Sequence, residues 1–254
     1  MKTTLITGAS SGIGKETAYV FAENSYNLIL VARRKENLEI IKKDIESKHK
    51  VSVTIISMDL SKSESAENLY KEVSNKNLQV DVLINNAGFG ISGDFKNTDM
   101  AWEESMLNLN IITLTKLTKL FVKDMIQNGG GNIINIASTA AFQGVPGFST
   151  YAASKAYVLH FSEAIANELK KDKIQVTAIC PGATKSEFAD TAKAANKKVF
   201  NKAPSSRDLG EFIFKSMKKN KTTAIHGFKN SFLTFMARFS PRKINTTIAA
   251  KIME

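Results

Sequence analysis

Short apolar runs rich in β-branched residues recur along the chain, at Thr3 to Thr7, Asn27 to Ala32, Val51 to Met58, Val80 to Asn85, Asn132 to Ala137, Ile174 to Cys180 and Thr222 to His226. Each has strand length and is bounded by polar or turn-forming residues. Between them lie longer stretches whose apolar positions fall three and four apart, such as Lys35 to Lys48, Lys62 to Asn77, Met100 to Met125 and Thr150 to Lys171. That is the period of a helix with one buried face. Strict alternation of strand and helix predicts a parallel doubly wound sheet of about seven strands, because right-handed crossovers place helices on both faces. The predicted class is α/β, Rossmann-type, in one domain over 1–254. Only four prolines occur, with no low-complexity linker and no internal repeat. The stretch 183–206 is the one long insertion without a strand; polar and rich in Ala and Lys, it is expected to act as a lid.

Composition narrows the chemistry. A chain of 254 residues at 43% hydrophobic content can bury a large core. No apolar stretch reaches the ~18 to 20 residues of a membrane span. The opening MKTTLITGAS lacks the basic end and long apolar run of a secretory signal, so a cytoplasmic placement is expected. The single cysteine, Cys180, excludes an internal disulfide, and His49, His160 and His226 are too scattered for a zinc site, so no metal is expected.

The formal charge of +11 is unevenly placed: residues 193–254 hold fourteen Lys/Arg against Asp208, Glu211 and Glu254, so the rest of the chain balances near zero. The plain reading is a solvated Lys-rich surface; the sharper one is a field attracting an anionic substrate, carrier or membrane. The same region holds seven of the fifteen phenylalanines. Phe228, Phe232, Phe235 and Phe239 follow helical spacing, with Lys229 and Arg238 on a polar flank. A basic amphipathic segment is therefore expected over 228–254. Packing onto the sheet or against another subunit is the favoured reading, and contact with a membrane surface or a lipidic substrate is the alternative. No nucleic-acid partner is expected.

The first predicted strand ends in Thr7-Gly8-Ala9-Ser10-Ser11-Gly12-Ile13-Gly14 and a helical pattern starts near Ile13. Glycines permit a tight turn and close backbone approach, while a helix N-terminus offers unpaired N–H groups to a pyrophosphate. Position after the first strand and before the first helix is the context a dinucleotide fingerprint requires. At the end of the second strand, an NAD-selective site usually places a carboxylate about 20 residues after the glycines. Ala32 stands there instead, followed by Arg33 and Arg34. A guanidinium can hold a 2′-phosphate by paired charge-assisted hydrogen bonds, so NADP(H) is the expected cofactor, with Arg33 the favoured partner. Asp59-Leu60 follows the third strand and Asn85-Asn86-Ala87-Gly88 the fourth, both at the carboxyl edge where ligands bind in such sheets. From physics alone, Asp59 is more often a helix N-cap and Gly88 a turn glycine.

Tyr151 and Lys155 lie one helical turn apart, and no other tyrosine has a lysine four residues on. A phenol is a poor acid or base near neutrality, and an adjacent ammonium is expected to favour phenolate and lower its pKa. Ser138 ends the fifth strand, where its hydroxyl can assist a substrate oxygen as negative charge develops. Asn110, within Leu107 to Ile112, is a poor interior helix residue without a role.

Taken together, Thr7 to Gly14, Asn85 to Gly88, Asn110, Ser138, Tyr151, Lys155 and Pro181-Gly182 resemble the short-chain dehydrogenase/reductase family in identity and order, over Thr3 to about Phe188. The resemblance implies that Asp59 contacts adenine and that Asn110 helps hold a proton-relay water. It makes Ser138 the group that polarises the substrate oxygen, Tyr151 the general acid/base, and Lys155 the ligand of the nicotinamide ribose. Pro181, Gly182 and Thr184 would border the nicotinamide. It further implies a homodimer or homotetramer packed on the Met100 to Met125 and Thr150 to Lys171 helices, and a small carbonyl or alcohol substrate, expected to be hydrophobic. The C-terminal part departs from the acyl-carrier-protein reductase pattern: Ile225-His226-Gly227 runs into Phe228-Lys229-Asn230. A 3-oxoacyl-type reductase and an NADP-binding sensor without turnover are the competing readings.

Overall fold

The structure is a computed structural model that describes residues 1–192 and 203–253. All seven apolar runs form strands: β1 (Thr3–Thr7), β2 (Asn27–Ala32), β3 (Val53–Ser57), β4 (Val82–Asn85), β5 (Gly131–Ile136), β6 (Ile174–Cys180) and β7 (Thr223–Ile225). They build one sheet in the order β3-β2-β1-β4-β5-β6-β7, with every pair parallel. The order reverses at β1, so the crevice between the β1 and β4 ends is the topological switch point where ligands bind.

Alternation along each strand divides the core between two faces. Leu30, Ile6, Ile84 and Ile134 stand in one row across four strands. They are buried with Phe21 of α1 (Gly12–Glu23), Leu38 of α2 (Lys35–Lys48) and Leu209 of α8 (Ser206–Lys218). The neighbouring row, Ile29, Leu5, Leu83, Ile133 and Val176, faces α3 (Ser65–Asn75) and α5 (Leu114–Gln127) through Leu69, Leu117 and Phe121. Burial on both faces accounts for strands that read as continuous apolar runs.

Two helical expectations change. The stretch from Met100 is two helices, α4 (Met100–Leu107) and α5, joined by a π-helical turn, Asn108–Thr113. Such a turn adds a residue to the helical repeat and is common at functional sites; here it carries Asn110. The helix from Thr150 is α6 (Ser149–Glu168), followed by a 3₁₀ turn, Lys170–Asp172. Of the expected lid, residues 193–202 lie outside the described residues. Its start forms a short helix, α7 (Phe188–Thr191), and its end pairs Lys185 with Ser205 in an isolated bridge. After β7 come α9 (Phe228–Met236) and α10 (Arg242–Met253).

Candidate active site

The glycine turn is built by close approach. Gly8 has φ +68° and Gly12 φ +51°, conformations that disfavour side chains. Gly14 is needed for space: a Cβ there would stand 2.3 Å from the Gly8 carbonyl oxygen. At the head of α1, Ser11 occupies the N-cap without a side-chain hydrogen bond to the helix, which leaves first-turn N–H groups available to an anion. The β4 loop is stitched to this turn. The Asn86 amide donates to the Thr7 and Gly8 carbonyls (2.9 and 3.2 Å), and the Thr7 hydroxyl accepts from the Asn86 and Ala87 N–H groups (3.0 and 2.9 Å).

At the end of β2, Arg33 is exposed at the cleft. Arg34 is engaged: it donates to Ser10 (3.2 Å), to Ser11 (2.7 Å) and to Glu187 (2.8 Å). Glu187 and Ser11 are also bonded directly, at 2.9 Å. Asp59 does not cap α3; its carboxylate accepts from the Ser61 N–H (3.0 Å) and hydroxyl (2.8 Å) and closes a turn. Burial raises its pKa, but the Ser61 hydrogen bonds and the nearby Arg33 charge outweigh it, so the carboxyl sits below its usual value.

At the carboxyl end of β5, Ser138 lies next to the sheet, and its hydroxyl accepts from the Ala140 N–H at 3.1 Å. Tyr151 and Lys155 project from α6. Burial pushes the Tyr151 phenol up to about 12, against a Ser138 hydrogen bond that lowers it. Lys155 is buried, and desolvation pushes it down to about 8. Its Nζ donates to the Ile136 carbonyl at 2.8 Å and lies 5.8 Å from the centroid of the Tyr151 ring. Loss of water around the phenol outweighs the Ser138 hydrogen bond.

Asn110 is buried behind the β4 loop. Its amide donates to the Phe89 carbonyl (3.0 Å) and to Ser154 of α6 (3.1 Å), and its Oδ1 accepts from the Phe89 N–H (3.2 Å). A side chain on Gly88 would stand 2.8 Å from that Oδ1 and 3.5 Å from Lys155 Nζ. The π-helical turn thereby joins the β4 loop to the helix that carries Tyr151 and Lys155.

Apart from Gly14 and Asn110, these parts line one cleft of about 900 Å³. Its far wall comes from aromatic and aliphatic side chains: Phe148 and Phe188 flank the Tyr151 ring, with centroids 6.0 and 5.3 Å away, and Leu233, Met236 and Ile248 close the side.

The short chain dehydrogenase family model matches residues 2–197. The chain belongs to that family. It is 31% identical to an NADP-dependent 3-hydroxy acid dehydrogenase of Schizosaccharomyces pombe, over 88% of this chain and 90% of that protein. It is also 31% identical to a ketoacyl reductase of a Nostoc species, over 88% and 77% of the two chains. Among solved structures, a short-chain dehydrogenase from Sphingobium yanoikuyae in complex with NADPH superposes with TM-score 0.84 at 30% identity, covering 94% of each chain. A bulky-bulky ketone specific alcohol dehydrogenase from Comamonas testosteroni superposes with TM-score 0.79 at 28% identity, covering 94% of this chain and 92% of that one.

Within this dehydrogenase, Gly8, Ser10, Ser11, Gly12, Ile13, Arg33, Arg34, Asp59, Leu60, Asn86, Ala87, Gly88, Ser138, Tyr151, Lys155, Pro181, Gly182 and Thr184 all line the cleft. Gly14 and Asn110 do not; each supports a lining residue from behind. Sequence reading missed Glu187, Phe148, Phe188 and Asn230. Asn230 fills the space over Gly182, where a Cβ would meet its amide at 2.5 Å. Nothing in the local pattern marks these four, because they reach the cleft through loop closure and the path of α9. The missed core polar network is similar: Asn85 donates to Thr118 (3.1 Å) and Asn135 (2.9 Å), and Asn135 donates to Ser162 (2.9 Å).

Proposed function

We propose that this short-chain dehydrogenase reduces a hydrophobic ketone to a secondary alcohol with NADPH, Tyr151 delivering the proton. The observation that carries this is Tyr151 itself. It is a phenol held protonated by burial, hydrogen-bonded to Ser138 and set at the carboxyl edge of the sheet between two phenylalanines. Such a group is a proton donor to an oxygen that gains negative charge, and Ser138 supplies the second hydrogen bond to that oxygen.

The cleft suits the dinucleotide. The glycine turn leaves no room for side chains, the α1 N-terminus lacks a side-chain cap, and two arginines with no carboxylate at the end of β2 favour a 2′-phosphate. When bound, NADPH supplies the hydride. The first turn of α1 and Ser10 and Ser11 would hold the pyrophosphate, Arg33 the 2′-phosphate, and Asp59 and Leu60 the adenine side. Lys155 would meet the ribose, with Pro181, Gly182 and Thr184 beside the nicotinamide. Asn110 orders the loop that bears Gly88 and fixes it to α6. The cleft walls Phe148, Phe188, Leu233, Met236 and Ile248 exclude water from the reacting carbonyl.

A second reading, a 3-oxo acid or 3-oxoacyl substrate, is favoured by Lys229, a cation among the lining residues of the otherwise apolar wall, and by the names of the two relatives above. A homodimer or homotetramer and a cytoplasmic site of action complete the proposal; Ile112 and Tyr157, exposed on the π-helical turn and on α6, suit a subunit contact. The test is NADPH oxidation across matched neutral and anionic ketones, run beside Tyr151→Phe. Turnover of bulky ketones that the variant loses supports the reading, whereas NADPH binding with no turnover of any carbonyl assigns the chain to the sensor class.

A further inference from the structure

Of the two favoured placements for the phenylalanines of 228–239, the sheet and another subunit, the first does not hold: the rings face away from this chain's core. Phe228, Phe232, Phe235 and Phe239 are 89%, 55%, 53% and 72% exposed. At 100° per residue they fall within one narrow stripe on and just beyond α9. The opposite side of α9 meets the cleft through Asn230, Leu233 and Ala237. On α10, Ile244 and Ile248 are half exposed, while Ala249 is buried. The two helices thus have an inner face that walls the site and an outer face that is aromatic and uncovered.

The charge around this face has one sign. Lys229, Arg238, Arg242, Lys243 and Lys251 are all exposed, and residues 228–253 contain no Asp or Glu. A second copy seated on the same face would bring cations against cations. An anionic lipid surface would take the rings into its acyl boundary and the cations onto its headgroups, the combination by which amphipathic helices lie on membranes. No helix among the described residues is long and apolar enough to cross a membrane, and α9 has nine residues, so the contact is with the surface only.

We infer that α9 and α10 dock this enzyme on an anionic bilayer surface, with Phe228, Phe232, Phe235 and Phe239 inserted and Arg238, Arg242, Lys243 and Lys251 on the headgroups. The inference stands independently of which ketone is reduced. Docking would also set the cleft wall formed by Leu233 and Ile248 beside the lipid, where apolar substrates concentrate.

The test is co-sedimentation of the full chain with vesicles of phosphatidylcholine alone or mixed with phosphatidylserine, combined with light scattering. The expected result is binding to the mixed vesicles, release by salt, which screens exposed charges over about 8 Å at physiological strength, and little binding to phosphatidylcholine. Phe232→Ser with Phe239→Ser should cut the bound fraction about tenfold, with NADPH binding retained as the check on folding. Arg242→Glu with Lys243→Glu, which alters only exposed charge, should do the same. Failure of the unaltered chain to bind mixed vesicles overturns the inference, as does unchanged binding by both double variants. A dimer that the phenylalanine variant converts to monomer also overturns it, by assigning the face to a second copy.

Discussion

Lys155→Met should make the protein more stable and nearly inactive, and the size of the first effect follows from burial. Lys155 is pushed from its ordinary 10.5 to about 8. At about 1.4 kcal/mol for each tenfold change in proton affinity, keeping that ammonium in the fold at pH 7 costs on the order of 3 kcal/mol. Its hydrogen bond to the Ile136 carbonyl at 2.8 Å returns about 1 kcal/mol. Methionine keeps the length and apolar stem, so the net gain is about 2 kcal/mol, or roughly 4–8 °C in Tm for a chain of this size. The sign with pH is fixed. Because the native pKa is depressed, the unfolded chain binds more protons between about 8 and 10.5. Stability of the unaltered protein therefore rises with pH through that window, and the advantage of Lys155→Met is full below about pH 8 and gone above 10.5. Urea unfolding of both proteins without cofactor, at pH 7 and pH 10, measures this. A variant less stable at pH 7, or a difference unmoved between the two pH values, would refute the argument that a desolvated buried cation is held here. Loss of turnover by about a hundredfold or more should accompany the stabilisation.

Other substitutions probe the remaining parts. Tyr151→Phe should lower kcat by about 10² to 10⁴ while stopped-flow titration finds NADPH affinity within a few-fold of the original. Arg33→Ala should weaken NADP(H) about tenfold and leave NAD(H) unaffected by calorimetry; equal losses for both would remove Arg33 from phosphate recognition. Glu187→Gln should tighten NADPH by up to about fivefold, the scale of an exposed ion pair, because it frees Arg34; weaker binding would show that the carboxylate is wanted. Gly14→Ala should abolish cofactor binding and destabilise by about 1–3 kcal/mol, since its Cβ would collide with the Gly8 carbonyl.

What could be read from residue order, and what could not, divides along physical lines. The parallel sheet was legible because strands buried on both faces have to be apolar throughout, and the glycine turn because Gly8, Gly12 and Gly14 answer to backbone geometry within one short segment. Tyr151 and Lys155 were legible as neighbours because a helix sets residues four apart on one face. Their electrostatics were not, since a pKa depends on how much water the whole fold removes, and burial is the larger influence at both Tyr151 and Lys155. The π-helical turn at Asn110 escaped because apolar periodicity reads the same on either side of a single added residue. The C-terminal phenylalanines show the limit of amphipathic patterning. The spacing revealed a stripe, but an apolar stripe carries no label for its partner, and here the partner is not this chain's core.

One pair of neighbours ties the cofactor end of the cleft to the substrate end. Arg34 is shared between the Ser10-Ser11 turn and Glu187, so its ion pair reaches across the cleft mouth to the residue before α7. The next residue, Phe188, lies 5.3 Å from the Tyr151 ring, and a Cβ on Gly90 would meet Phe188 at 2.7 Å. Phe188 is therefore wedged between the β4 loop and the Tyr151 ring. An anion that draws Arg34 away from Glu187 acts one residue from the ring that shields the tyrosine. Both Arg34 and Glu187 are about half exposed, so the pair contributes little to stability and can exchange partners at small cost. Phe188, packed on two sides, cannot shift without opening the wall beside Tyr151. The Arg34 ion pair and the ring beside Tyr151 thus meet in two consecutive residues, Glu187 and Phe188, neither of which carries a motif.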